Sequence, residues 1–375
     1  MLDDSLASTS NAVSRKLRLG FIGGGLNSAV GYTHFVATRL DGLFDVVAGC
    51  FSRHQEINQE TAQRFSVPQN RCYQSAAEML SAEVGRLDAV CILTPTPHHA
   101  EMISAVLKAG FHVICEKAMV TSNAEAGEVL AAVEASGQQL FVTFNYAGYP
   151  MVREAKAIIA SGQLGAVQQV YCEMPTEGFA RVEANPQDWR RQDYDIPCVS
   201  LDLGVHVHQM VHYLLGGRSC DNFTSWEASF GRVPGVIDTV SMTGVYQGPV
   251  LVDLKWGKAA LGAANGLKFR IFGEHGSLEW SQFDPELLKI SDSNGTTQIL
   301  ERGQQNLQIA NEGRYNRFKA GHPAGFIEAF ANIYTDFHAA LVGSDGSAGE
   351  SFGVHVATSG IELLSQIHAA ATRCN

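Results

Sequence analysis

The sequence predicts an α/β protein with two parts: an N-terminal Rossmann-type doubly wound parallel sheet and a C-terminal α+β domain on a large open, mainly antiparallel sheet. Three observations carry this. Short apolar runs rich in branched residues alternate with amphipathic stretches up to about residue 147; longer strands of alternating polarity follow; and 375 residues suit two cores better than one. The expected organisation is a loose tail at 1–16, a dinucleotide-binding domain at 17–147 and a second domain at 148–375, whose last helices are free to pack back on the first.

The N-terminal apolar runs are LRLGFIG, FDVVAGC, LDAVCILTP, HVICE and QLFVTFN. Continuous apolar runs fit strands covered on both faces by helices. The stretches HAEMISAVLKAG and SNAEAGEVLAAVEASG carry apolar residues at helical spacing and end in glycine, as crossover helices do. After a further helix, PMVREAKAIIASGQLG, come AVQQVYCEM, TVSMTGVYQG, PVLVDLKWGK and LKFRIFGEHGSLEW, then a hairpin in KISDSNGTTQIL with Asn294 and Gly295 at its turn. The alternation leaves one sheet face for helices and one to be covered, which predicts a homodimer or homotetramer through that sheet. Two helices, 322–341 and 352–372, end the chain.

Composition narrows the function. With 38 acidic against 27 basic residues and a net charge of -11, the chain lacks the clustered basic surface that nucleic acid or an anionic membrane requires. No apolar stretch has the length of a membrane span, and the polar start MLDDSLASTSNAVSRK lacks the pattern of a secretory leader, so a cytoplasmic location is expected. The eight cysteines include no C-x-x-C pair and read as reduced, buried side chains; no metal site is expected.

The first strand runs into Gly23, Gly24 and Gly25, where backbone can approach a pyrophosphate at a helix N-terminus; Leu26 and Asn27 continue that turn. The third glycine of the usual fingerprint is missing, Ser28 standing there, and the next glycine is Gly31. The second strand ends in Ser52 and Arg53 rather than in the carboxylate that binds an adenosine ribose, so both NAD and NADP stay open, with Arg53 suited to a 2'-phosphate.

Thr94-Pro95-Thr96-Pro97-His98-His99, followed by the Glu116-Lys117 pair, then Asp202-x-x-x-His206 and Gly321-His322-Pro323 before GFIEAFANIY, resembles the glucose-fructose oxidoreductase and inositol dehydrogenase family (Gfo/Idh/MocA) over nearly the whole chain. The resemblance implies an NAD(P)-dependent dehydrogenase or reductase acting on a sugar, inositol or related polyol in a cleft between the domains. It places Lys117, Asp202 and His206 at the chemistry. Thr94, Pro95, His99, Glu116 and Trp189 would lie around the cofactor, and Tyr146, Arg190 and His322 around the substrate. The chain departs from the pattern at Ala118, where the family has proline, and in the insert at 26–30. Asp202 and His206, four apart at a helix start, share a face, so the carboxylate is expected to orient the imidazole; His206 is then the expected base and Lys117 the group that stabilises the alkoxide, with Lys117 as the alternative base if its pKa is lowered. Two other readings remain: an NAD-dependent glycosidase working through transient oxidation, and a non-catalytic dinucleotide sensor.

Overall fold

The structure is a computed structural model that describes residues 15–374. Most of the expected N-terminal tail, 1–16, lies outside the described residues. The chain opens with β1 (Leu17–Gly23), α1 (Gly31–Leu40), β2 (Phe44–Cys50), α2 (Gln55–Arg64), α3 (Ala76–Ala82), β3 (Ala89–Leu93), α4 (His99–Lys108), β4 (His112–Cys115), α5 (Asn123–Ser136) and β5 (Leu140–Val142). These five strands form one parallel sheet in the order β2-β1-β3-β4-β5. All five residues of β3 are buried, because helices cover both faces of a central strand and apolar side chains can be sequestered on each. Strand order reverses beside β1, which opens a crevice beyond its C-terminal end, the usual ligand position in such sheets.

The second part runs α6 (Pro150–Ala160), β6 (Val167–Pro175), α7 (Val205–Leu215), β7 (Cys220–Ala228), β8 (Thr239–Tyr246), β9 (Val250–Gly257), β10 (Lys268–Gly273), β11 (Gly276–Ser281), β12 (Leu287–Asp292) and β13 (Thr297–Glu301). It closes with α8 (Phe326–Leu341), α9 (Ser347–Phe352), α10 (Val354–Ala370) and β14 (Thr372–Cys374). Its nine strands form a mixed, mostly antiparallel sheet in the order β13-β12-β11-β10-β6-β9-β8-β7-β14, with β6–β9 and β7–β14 parallel. Strict alternation in β9 buries Val250, Val252 and Leu254 and exposes Leu251, Asp253 and Lys255, so one sheet face packs on helices and the other stays open. The hairpin falls where expected: Gly295 takes φ +82° between β12 and β13, and Asp292 Oδ1 accepts the N–H groups of Asn294 and Thr296.

The C-terminal helices differ from the sequence expectation. α8 starts at Phe326, where the Glu328 carboxylate accepts the Gly325 N–H, so His322 lies before the helix rather than at its start. The second helix is broken at Gly353 into α9 and α10, and its end becomes the short edge strand β14. α8 packs on α1 and the 145–148 turn, and α10 on α5 and α7, which ties the last helices to both sheets. Among the described residues no helix is long and apolar enough to cross a membrane.

Candidate active site

At the C-terminal ends of β1 to β4 lies a cleft of about 570 Å³. Gly23, Gly24, Gly25 and Asn27 form one wall, Ser52 and Arg53 another, Thr94 and Pro95 a third, and Glu116 and Lys117 the inner end; Gln187, Trp189 and Arg190 reach over from the second domain. Gly23 and Gly24 take φ +81° and +75°, conformations that cost a side-chain-bearing residue. A Cβ at Gly31 would lie 2.0 Å from the Gly24 carbonyl oxygen. Gly31 thus supplies the close helix–turn packing that the fingerprint's third glycine normally provides, and the insert at 26–30 is spanned by a turn in which Ser28 Oγ accepts the Val30 and Gly31 N–H groups. The glycine cradle and the buried, unpartnered Thr94 Oγ1 fit a dinucleotide along this wall.

Leu26 lies apart from this lining. Its N–H donates to Thr61 Oγ1 and its side chain is exposed, so it does not face the cleft. His99 is fully buried and bridges the carbonyls of Thr94 (2.8 Å) and Ala118 (2.7 Å), holding the loops after β3 and β4 together. The Lys117–Ala118 peptide bond is cis.

Glu116 is aimed by residues far apart in sequence. His34 Nε2 donates to its Oε1 (3.1 Å), Thr143 Oγ1 donates to the same oxygen (2.6 Å), and the Tyr334 hydroxyl donates to His34 Nδ1 (2.8 Å). Burial pushes the Glu116 carboxyl up, but the His34 hydrogen bond, with the Lys117 charge and the Thr143 hydrogen bond, outweighs it and holds the group at about 2.

Beyond Lys117 a second cavity of about 270 Å³ opens, lined by Asn145, Tyr146, Thr176, Asp202, His206, Lys258 and Asn265 among others. Val30, Glu116 and Lys117 line both cavities, so the two meet at this wall. Tyr146 accepts a hydrogen bond from Asn265 Nδ2 (3.1 Å) and lays its ring edge-on to His206 at 4.7 Å; burial raises its hydroxyl to about 12.

Asp202 is the hub, though not in the expected way. Its carboxylate accepts from Lys117 Nζ (2.7 Å), from Arg190 Nε and Nη2 (2.8 and 3.1 Å) and from Lys258 Nζ. Burial opposes ionisation, yet Lys117, Lys258 and Arg190 together hold the group well below the ordinary carboxylate range. The expectation that Asp202 orients the His206 imidazole is therefore corrected: three cations take its oxygens, and among the described residues His206 Nδ1 has no hydrogen-bond partner. The cause is local. Residues Ser200–Gly204 form a π-helical turn, so the four-residue spacing does not carry the α-helical relation. Burial, reinforced by Lys117, pushes His206 down to about 3, leaving a neutral imidazole in the cavity wall.

Arg190 thus reaches both the cleft and Asp202, with its guanidinium 4.3 Å above the Trp189 ring. His322 lines neither cavity; it is exposed, and its carbonyl accepts from Arg302. Sequence reasoning missed Lys258, Asn145 and Asn265. Asn145 adjoins the noted Tyr146, whereas Lys258, just past β9, reaches Asp202 because the Ser200–Gly204 turn packs on that strand, where Trp256 Nε1 donates to Ser200 Oγ (3.0 Å), a contact that no local motif announces.

Residues 17–144 match the family model described as the oxidoreductase family with an NAD-binding Rossmann fold, and residues 152–279 match the GFO/IDH/MocA C-terminal domain. The chain belongs to the Gfo/Idh/MocA oxidoreductase family. It is 30% identical to the uncharacterized oxidoreductase YfiI of Bacillus subtilis over 344 residues, 88% of this chain and 86% of that one. It is 25% identical to the levoglucosan dehydrogenase of Pseudarthrobacter phenanthrenivorans, covering 74% and 76% of the two chains. Among solved structures it resembles an inositol dehydrogenase homolog from Azotobacter vinelandii complexed with NADH and myo-inositol, with TM-score 0.85, 29% identity and 96% of each chain covered. The protein is accordingly an oxidoreductase with an NAD-binding Rossmann domain.

Proposed function

We propose that this Gfo/Idh/MocA enzyme transfers a hydride between a nicotinamide cofactor and a secondary hydroxyl or carbonyl of a sugar, inositol or related polyol. The supporting observation is the shared wall: a dinucleotide-sized cleft and a smaller polar cavity meet at Lys117. Gly23, Gly25, Asn27, Ser52, Arg53, Thr94, Pro95, Glu116 and Trp189 would hold the cofactor, which supplies the hydride-accepting ring carbon when bound. The carbinol oxygen then sits against Lys117 Nζ, whose remaining N–H stabilises alkoxide character.

Asp202 acts on Lys117, fixing the ammonium with two bonds, to its carboxylate and its backbone carbonyl. His206, neutral in the cavity wall, takes the hydroxyl proton. Tyr146 and Arg190 would contact substrate. Homo-oligomerisation through the open sheet face, which carries Leu251 and Trp226, and a reducing cytoplasmic setting, suited to eight unpaired cysteines, belong to the same proposal. Binding of NAD(H) and NADP(H) to purified protein, followed by a polyol and aldose panel read by reduced-nicotinamide absorbance, tests the reading. Turnover of a cyclic polyol or aldose supports it, and absence of cofactor binding refutes it.

A further inference from the structure

The second cavity has an unbalanced chemistry. Asp202 is saturated: Lys117 and Arg190 Nη2 occupy Oδ1, while Arg190 Nε and Lys258 occupy Oδ2, close to the capacity of a carboxylate. It has little left to offer a substrate hydroxyl. The cations do: Lys258 uses one of three N–H donors on Asp202, with its ammonium also 4.9 Å from the Phe179 ring. Beside them Asn145, 3% exposed and lining the same cavity, has its Nδ2 buried without a hydrogen-bond partner among the described residues. Lys117, Lys258 and, from the cofactor cleft, Arg190 share the single carboxylate of Asp202, and the other carboxylate lining this cavity among the described residues, Glu116, is in part taken by His34 and Thr143. Lys258, sharing its carboxylate with two other cations, and Asn145 thus present buried donors without acceptors of their own, an arrangement that is costly unless a ligand supplies negative charge and lone pairs.

We infer that the substrate carries a carboxylate, received by Lys258 and Asn145, and that the enzyme oxidises or reduces a polyhydroxylated acid in preference to the matching neutral sugar. The inference rests on the dehydrogenase reading of the same site. A carboxylate is acceptor-only and carries one negative charge, which is what these two side chains lack; a neutral hydroxyl supplies neither in full. Lys258 then distinguishes substrates, because a site built to bind a charged acceptor is left with unpaired groups when that acceptor is absent.

The test uses the intact protein with NAD and NADP and matched pairs: D-galactose with D-galacturonate, D-glucose with D-glucuronate, D-glucitol with D-gluconate. We expect kcat/KM for the acid to exceed that of its neutral partner by about 100-fold in at least one pair. In Lys258→Met the preference falls below about tenfold, Lys258→Arg restores most of it, and Asn145→Ala raises KM for the acid with kcat nearly kept. Equal or better turnover of every neutral partner, or an acid preference unchanged in a folded Lys258→Met protein, overturns the inference while leaving the dehydrogenase reading intact. If no compound turns over, that reading falls, and titration calorimetry with the NADH-loaded protein still decides the anion: tighter binding of the acids, lost in Lys258→Met, upholds it, and equal binding of acid and neutral partners refutes it.

Discussion

Replacing Asp202 with asparagine separates the arrangement found here from one in which the aspartate orients a histidine. The Asp202 side chain is only 9% exposed and its charge is shared by Lys117, Arg190 and Lys258. Asp202→Asn keeps the shape and one acceptor oxygen but leaves three nearly buried cations with a single remaining carboxylate, Glu116, close by. Removing one partner of a buried ion pair typically costs about 3–5 kcal/mol. With about 2 °C of Tm per kcal/mol in a chain of this size, Tm should fall by roughly 6–10 °C. Differential scanning fluorimetry at low and high chloride reads this, and the deficit should change little with salt, because charges this buried are weakly screened. Turnover should drop at least about a hundredfold as Lys117 loses its anchor. An aspartate that served only to orient His206 would predict a near-normal Tm, since asparagine still accepts a hydrogen bond from imidazole. A Tm within about 2 °C of the parent would refute the three-cation account.

Lys117→Met and His206→Ala should each lower kcat by about a hundredfold or more, with cofactor Kd within a few-fold of the parent; near-normal turnover in either removes that side chain from the chemistry. Arg53→Ala should weaken NADP binding more than NAD binding, measured by fluorescence titration, and equal effects on both would exclude a 2'-phosphate contact. Burial pushes both His206 and His208 from 6.5 down to about 3, so the fold favours their neutral forms. Their contribution is complete above the unfolded value near 6.5 and is lost as pH falls from there toward 3, about 5 kcal/mol for each at the acid end. Tm should therefore decline between about pH 6.5 and pH 4. A flat profile in that interval would contradict the burial of neutral imidazoles.

The N-terminal sheet was legible because doubly covered strands must be apolar on both faces, which makes LDAVCILTP and HVICE stand out from the helices around them. Gly23, Thr94, Glu116 and Lys117 were legible for a related reason: they sit just past strand ends, so their position follows once the strands are found. Asp202 and His206 were found but their relation was misread, because spacing rules presume an α-helix and Ser200–Gly204 is a π-turn. Lys258 and Asn145 were not found as site residues. Lys258 meets Asp202 from 56 positions away because the Ser200–Gly204 turn packs on β9, and such non-local contacts leave no periodic trace in the sequence. His322 and Leu26 show the converse: each stands in the right stretch of sequence, yet the Arg302 bond to the His322 carbonyl and the Thr61 bond to the Leu26 N–H tie their backbones outside the two cavities.

The shared wall at Lys117 makes one demand that neither a binding module nor a glycosidase without net redox change meets, namely net transfer of a carbinol hydrogen to the cofactor. A sugar, polyol or sugar acid deuterated at the carbinol carbons, incubated with the protein and oxidised cofactor, reads this directly by mass spectrometry of the reduced nicotinamide. The account predicts deuterium in the cofactor in proportion to product, and its loss in Lys117→Met. Saturating cofactor binding with no label transferred from any compound of the panel, or transfer undiminished in Lys117→Met, would contradict it.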